Sequence, residues 1–259
     1  MEWYALVTGC LLAGAAIGFM GGVLGIGGGL LAIPLLGLIF GMDQQMAQGT
    51  SLVMVLPAIM LTVRKYNQHE RIDLKAVAVA ATSSIIFTWL GARLALGVDA
   101  TLLRRIYAVF ILGIAVFYLV QVRRHGRRAS PTPSRTATRQ LHPLWYLPIG
   151  CLAGVTGGVF GVGGSVVAVP LLTTLYGLSQ TRAQAVGLSM VIPGTVVALA
   201  TYASHGQADW LMGVPMALGS IALVSYGVRL AYTWPESRLK LTFACMLLVI
   251  MVLLLLNAQ

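Results

Sequence analysis

Long apolar runs separated by short polar breaks dominate the chain. Residues 5–42, 46–63 and 241–259 hold no Asp, Glu, Lys or Arg. Each run can span a hydrocarbon core about 30 Å thick as a helix, which takes about 20 residues. The breaks predict helices near 46–66, 73–97 and 102–122, and again near 183–203, 209–233 and 237–257. Asp73 and Asp209 stand just before two of these runs, where a carboxylate caps the free N–H groups of a first turn.

The first apolar run carries an anomaly. Its stretch GGVLGIGGG, residues 21–29, puts six glycines into nine positions, and each costs a helix interior about 1 kcal/mol against alanine. The stretch returns as GGVFGVGGS at 157–165. Aligning 18–36 with 154–172, a shift of 136, makes eleven of nineteen positions identical, Pro34 with Pro170 among them. The same shift pairs His69 with His205, Asp73 with Asp209, Gly91 with Gly227 and Arg93 with Arg229. After a two-residue slip, QGTSL (48–52) answers VGLSM (186–190). Internal duplication of this kind is the usual construction of secondary transporters.

A basic linker, RRHGRRASPTPSRTATRQLHP, lies between the copies. The chain therefore divides into a first membrane repeat (1–122), a linker (123–143) and a second membrane repeat (144–259). Residues 5–40 as one helix would be about 54 Å long, too much for one crossing, whereas residues 30–40 reach only about 16 Å. A hairpin that enters, turns at the glycines and leaves on the same side fits both lengths. Basic residues, which favour the cytoplasmic side, test this choice. With two hairpins, 13 loop Lys and Arg fall inside and two, Arg104 and Arg105, outside; with single crossings the split is ten to five. The expected fold is an all-α polytopic membrane protein of two inverted repeats. Each repeat is a glycine-broken helical hairpin followed by three transmembrane helices.

Composition agrees. The chain is 58% hydrophobic and 9% charged, against about 25% charged in a soluble domain. The net charge of +10 owes much to the linker, which holds six of the 17 Lys and Arg; such a linker marks the cytoplasmic side, and no nucleic-acid partner is expected. Glu2, with no Lys or Arg near it, makes the N-terminus a poor secretory signal. Cys10, Cys151 and Cys245 lie in apolar segments at unrelated spacings, and no His, Cys or acid cluster has metal or nucleophile spacing. No metal, cofactor or enzymatic chemistry is expected.

Two inverted hairpins would bring their glycine turns to the midplane, where non-helical backbone needs protein or a water-filled cavity around it. Glycine permits left-handed turns and close approach of backbone to a ligand. The helix start after each run offers unpaired N–H groups and a positive dipole end to an anion. Tight helix packing through small residues would explain the glycines without a ligand; the duplication and the short half-helix favour a substrate site. Candidate binding residues are Gly25, Gly27, Gly28 and Gly29, then Gly161, Gly163, Gly164 and Ser165, with the hydroxyls of Thr50, Ser51 and Ser189 following at matching places. Arg93 and Arg229, within one or two turns of their helix ends, either snorkel or guide an anion at the two mouths. No Asp or Glu is expected deep in the membrane, so no carboxylate serves a proton or sodium site there. An inside-negative potential drives an anion outward by about 2.3 kcal/mol per charge per 100 mV.

The paired motifs GGVLGIGGGLLAIPLL and GGVFGVGGSVVAVPLL, with GTSL after the first, resemble the TauE/SafE family of sulfite and organosulfonate transporters over nearly the whole chain. The resemblance implies a multi-pass protein of the bacterial inner membrane that exports small sulfur-containing anions such as sulfite or sulfoacetate. Gly25, Gly27, Gly28, Gly161, Gly163, Gly164 and the pair Thr50–Ser51 match the family pattern. The second half reads GLS at 187–189 and lacks a hydroxyl in the place of Thr50. The expected partners are the anion and the lipid bilayer, with a homodimer as the candidate assembly. The alternative is an anion channel or an uptake permease for a related anion.

Overall fold

A computed structural model of the chain describes residues 3–68, 74–127 and 145–256. Their regular elements are the helices α1 (Trp3–Leu24), α2 (Gly29–Phe40), α3 (Gln44–Asn67), α4 (Leu74–Leu96) and α5 (Ala100–Arg127), followed by α6 (Tyr146–Phe160), α7 (Ser165–Leu175), α8 (Gln180–Ser204), α9 (Trp210–Thr233) and α10 (Glu236–Leu256). Asp73, His69 and most of the linker lie outside the described residues. The helix α5 continues to Arg127, into the segment read as linker.

Caps set several boundaries. The Asp43 carboxylate accepts from the Met46 N–H at 2.8 Å and starts α3, while the Ser179 hydroxyl accepts from Arg182 at 3.4 Å and starts α8. These two caps are 136 residues apart. Asp209 accepts from the N–H groups of Leu211 and Met212, at 2.8 and 3.2 Å, which is the capping expected of it.

Among the described residues, α1, α3, α4, α5, α8 and α9 are long and apolar enough to cross a membrane. The protein is thus an all-helical membrane protein. The broken segments are unequal: α1 has 22 residues and its counterpart α6 has 15. A 22-residue helix is about 33 Å long, so α1 exceeds the half-crossing its part in a hairpin suggested. Its turn nevertheless lies at mid-helix depth, because a Cβ on Gly27 would meet Ile59 and Val55, at the middle of α3. From there α2 runs back to the short connection that starts α3.

Glycines also bring helices together. Gly14, Gly18 and Gly22 recur every four residues along α1, and a Cβ on Gly18 or Gly22 would lie 2.5 Å from Ser220 or Val224 of α9. The equivalent row Gly150, Gly154 and Gly158 on α6 faces α4, where a Cβ on Gly154 would lie 2.8 Å from the Ser84 carbonyl. Rows of small residues let backbones approach where apolar lipid gives no hydrophobic drive to associate. The packing role therefore belongs to these glycines. Each first helix docks on the fourth helix's equivalent in the other half, so the two halves interlock.

At the centre α3 and α8 cross antiparallel. Gln48, early in α3, meets Tyr202, late in α8, and Tyr66, late in α3, meets Gln184, early in α8.

Candidate functional site

The two glycine runs break their helices in the same way. Gly25, Gly27 and Gly28 have φ of 65°, 72° and 86°, and Gly161, Gly163 and Gly164 have φ of 65°, 75° and 72°. Left-handed backbone costs any other residue about 1–2 kcal/mol, so three such residues within four positions call for glycine. Gly21 and Gly157 serve the fold-back. A Cβ on Gly21 would lie 2.6 Å from the Gly28 nitrogen, and one on Gly157 would lie 2.8 Å from the Gly164 nitrogen.

Gly28 and Gly164 stand at the N-caps of α2 and α7, and neither helix has a side-chain cap. The first bonds back to the caps come from Leu31 and Val167, at 3.1 and 3.2 Å. The N–H groups of Gly29 and Leu30, and of Ser165 and Val166, therefore head their helices without an intrahelical acceptor. The turns also meet. A Cβ on Gly29 would lie 3.2 Å from Val162, and Ile59 reaches both Gly27 and Gly163, with Thr195 beside the latter at 3.4 Å. Residues 21–30 and 161–166 are all buried.

A glutamine and a tyrosine brace each turn. At the first, Gly25 lies against the Gln184 side chain. The Gln184 Nε2 donates to the Leu24 carbonyl at 2.7 Å, and its Oε1 accepts from the Tyr66 hydroxyl at 2.8 Å. At the second, a Cβ on Gly161 would lie 2.8 Å from the Gln48 Cβ. The Gln48 Oε1 accepts from the Tyr202 hydroxyl at 2.8 Å, and that hydroxyl also lies 3.0 Å from the Gly158 carbonyl. All four side chains are buried.

Sequence reasoning missed these four residues. The signal was available, since Gln48 with Gln184 and Tyr66 with Tyr202 obey the shift of 136. The two-residue slip that matched QGTSL with VGLSM hid them. The two glutamines make the same kind of contact at equivalent places, so the shift of 136 continues through α3 and α8. Ser51 is then equivalent to Gly187, and Ser189 to Val53, so the hydroxyls do not stand at matching places.

The structure divides the candidate hydroxyls. Ser51 is at the second turn, its Oγ 2.8 Å from the Gln48 carbonyl and 3.2 Å from the Gly161 carbonyl. Thr50 faces the start of α9, where its Oγ1 accepts from the Asp209 N–H at 2.9 Å. Ser189 is half-buried and donates to the Ala185 carbonyl of its own helix at 2.7 Å. Ser165 is fully buried at the first position of α7. Arg93 and Arg229 are exposed on α4 and α9, and the Arg93 guanidinium lies 5.1 Å from the centre of the Trp89 ring. Among the described residues no three His, Cys, Asp or Glu group as a metal site would.

The family model for the sulfite exporter TauE/SafE matches residues 10–254. The chain belongs to the TauE/SafE family. Its relatives include a probable membrane transporter protein of Xylella fastidiosa, 27% identical over 87% of this chain and 85% of that protein. Another is a probable membrane transporter protein of Methanocaldococcus jannaschii, 26% identical over 86% of this chain and 82% of its own length. The probable membrane transporter protein YdhB of Bacillus subtilis is 23% identical over 86% of this chain and 90% of its own. No solved structure matches the chain. The TauE/SafE match spans both glycine turns, so each belongs to the region this membrane transporter family shares.

Proposed function

We propose that this TauE/SafE protein exports a small sulfur-containing anion, sulfite or an organosulfonate, across the bacterial inner membrane by alternating access. The observation that carries this reading is the meeting of two left-handed glycine turns at the middle of α3 and α8, each heading a helix whose first N–H groups are uncapped. Backbone donors and two positive dipole ends converge on one buried place, a setting that suits an anion. The family name supplies the sulfur chemistry.

The mechanism follows from the packing. The antiparallel crossing of α3 and α8 supports two halves of opposite orientation, the design in which one half rocks against the other around a central site. Burial of both turns supports an occluded site over an open channel. The buried polar side chains among the described residues are Gln, Ser, Thr and Tyr, with no buried Asp, Glu, Lys or Arg among them, so the outward drive on an anion falls to the membrane potential.

A thermal-shift screen of the purified, detergent-solubilised protein tests the reading, with sulfite, sulfate, sulfoacetate, taurine, acetate and chloride as ligands and divalent cations as control. A ligand at 100 times its Kd that binds only the folded state stabilises it by about 2.7 kcal/mol. Selective stabilisation by sulfite or a sulfonate is expected. A response to none of the anions, or to a divalent cation alone, overturns the anion reading. Counterflow in proteoliposomes then separates an exporter from a channel, which gives none.

A further inference from the structure

The polar groups around the two turns are not equally used. Gln184 has both ends of its amide bonded, Nε2 to the Leu24 carbonyl and Oε1 to Tyr66. Gln48, its equivalent, has a partner for Oε1 only; its Nε2 has none, and the residue is 0% exposed. The Gln184 amide can point only one way, because its nitrogen faces a carbonyl. In the structure Gln48 meets the equivalent tyrosine through the same oxygen, which leaves its nitrogen as the end without a partner.

Ser165 repeats the pattern. It is 0% exposed, and its hydroxyl has no partner. It sits beside the uncapped start of α7, where the first turn has Gly29 instead. Buried polar groups are ordinarily bonded, and leaving one unpaired is costly. Two unused donors at one turn, and none of these at the other, indicate a missing acceptor.

We propose that the second turn supplies the side-chain ligands of the substrate anion, the Gln48 amide nitrogen and the Ser165 hydroxyl, beside the N–H groups of Ser165 and Val166. Tyr202 is a positioning residue that turns the Gln48 nitrogen toward the anion. The first turn, whose glutamine is bonded at both ends of its amide, contributes backbone only. This assignment rests on the anion-export reading and sharpens its substrate class. The ligands are neutral, and each buried polar side chain among the described residues is neutral as well. Desolvation cost rises with the square of the charge, so neutral donors favour a monoanion such as a sulfonate over a dianion such as sulfate.

The test is titration calorimetry of the full-length protein in detergent, with methanesulfonate and sulfate as probes. Wild type is expected to bind methanesulfonate more tightly than sulfate. Gln48→Leu is expected to weaken methanesulfonate binding by about tenfold or more, the loss of a hydrogen bond to a charged group. It should remain folded, because Tyr202 keeps the Gly158 carbonyl as acceptor. Ser165→Ala, the smaller change, should weaken binding in the same direction, while Gln184→Leu should lower the unfolding temperature and keep the affinity within about threefold. Tyr202→Phe should weaken binding when Gln48 is present and have no further effect in the Gln48→Leu background, a coupling that general destabilisation does not produce. Unchanged affinity in both Gln48→Leu and Ser165→Ala, or an equal loss in Gln184→Leu, overturns the assignment while leaving anion export standing. Sulfate bound as tightly as methanesulfonate overturns the monoanion preference. Wild type that binds neither probe overturns the sulfonate site, and the export reading itself falls if sulfite also fails to stabilise the protein in the thermal-shift screen.

Discussion

At the first turn Gly25 rests on Gln184, and Gly29 opens the returning helix; at the second Gly161 rests on Gln48, and Ser165 opens it. The backbones agree glycine for glycine in φ. What differs is hydrogen bonding: the first turn's glutamine is fully bonded, whereas the second has an amide nitrogen and a hydroxyl to spare. Duplication conserved the conformation, which only glycine can adopt cheaply. It left the surrounding side chains free to diverge, as would suit one half that grips and one that supports.

The largest effect expected of any change at the turns comes from giving one a side chain. At Gly164 a Cβ would run into the backbone carbonyl of Ala153, whereas at Gly28 it would meet the Ile17 Cγ2 methyl at 2.8 Å and the Ile17 carbonyl only at 3.2 Å. Gly164→Ala should therefore cost more than about 4 kcal/mol and yield little folded protein, and Gly28→Ala about 2 kcal/mol. Thermal unfolding in detergent checks both. Equal losses would mean that the turns tolerate side chains alike and that their packing does not distinguish them. Leucine at either position would test the fold rather than the site.

A smaller effect, of opposite sign, is expected at Ser165. Removing a buried hydroxyl that has no partner should stabilise the unliganded protein by about 1 kcal/mol, since an unsatisfied buried group carries its desolvation cost. The same substitution at a hydroxyl already in use, Thr195→Val, should instead lose stability, because Thr195 donates to the Val191 carbonyl at 2.9 Å. A lower unfolding temperature for Ser165→Ala would show that the hydroxyl is already bonded in the unliganded state.

The smallest effect is expected at the periphery. Arg93 and Arg229 are exposed, so Arg93→Gln and Arg229→Gln should each leave methanesulfonate efflux from proteoliposomes within about twofold of wild type, as for most exposed charges. A loss of an order of magnitude in either would move part of the selectivity from the turns to the mouths.

Much of the fold was legible because its causes are local. The runs without charge, the cap at Asp209 and the left-handed glycines follow from chain composition over a few residues, so the expected helices fell within a few residues of the observed ones except where α5 extends to Arg127. Two glycine roles coincide in one run, however. Gly22 serves close packing, and Gly21, Gly25, Gly27 and Gly28 serve the turn, a division that no local rule makes.

The candidate site was half legible. The glycine turns and Ser165 were identified from the repeat, but the slip that aligned one hydroxyl with another moved attention from Gln48 and Gln184 to Thr50 and Ser189. Thr50 faces Asp209, and Ser189 bonds its own helix. Hydroxyls in apolar helices commonly back-bond in this way, so their presence says little about a ligand.

By itself the sequence determined the membrane-spanning class, the duplication and the places where the helices break, because hydrophobicity, cap chemistry and positive φ act within one or two turns of chain. Tertiary structure alone decided which donors remain unused. Whether the nitrogen of a buried glutamine finds a carbonyl depends on a helix far away in the chain, 160 residues for Gln184 with Leu24, and no such carbonyl meets Gln48. Hydrogen bonds are short and directional, and a difference of that size is set by how two halves pack, not by the residues each half contains.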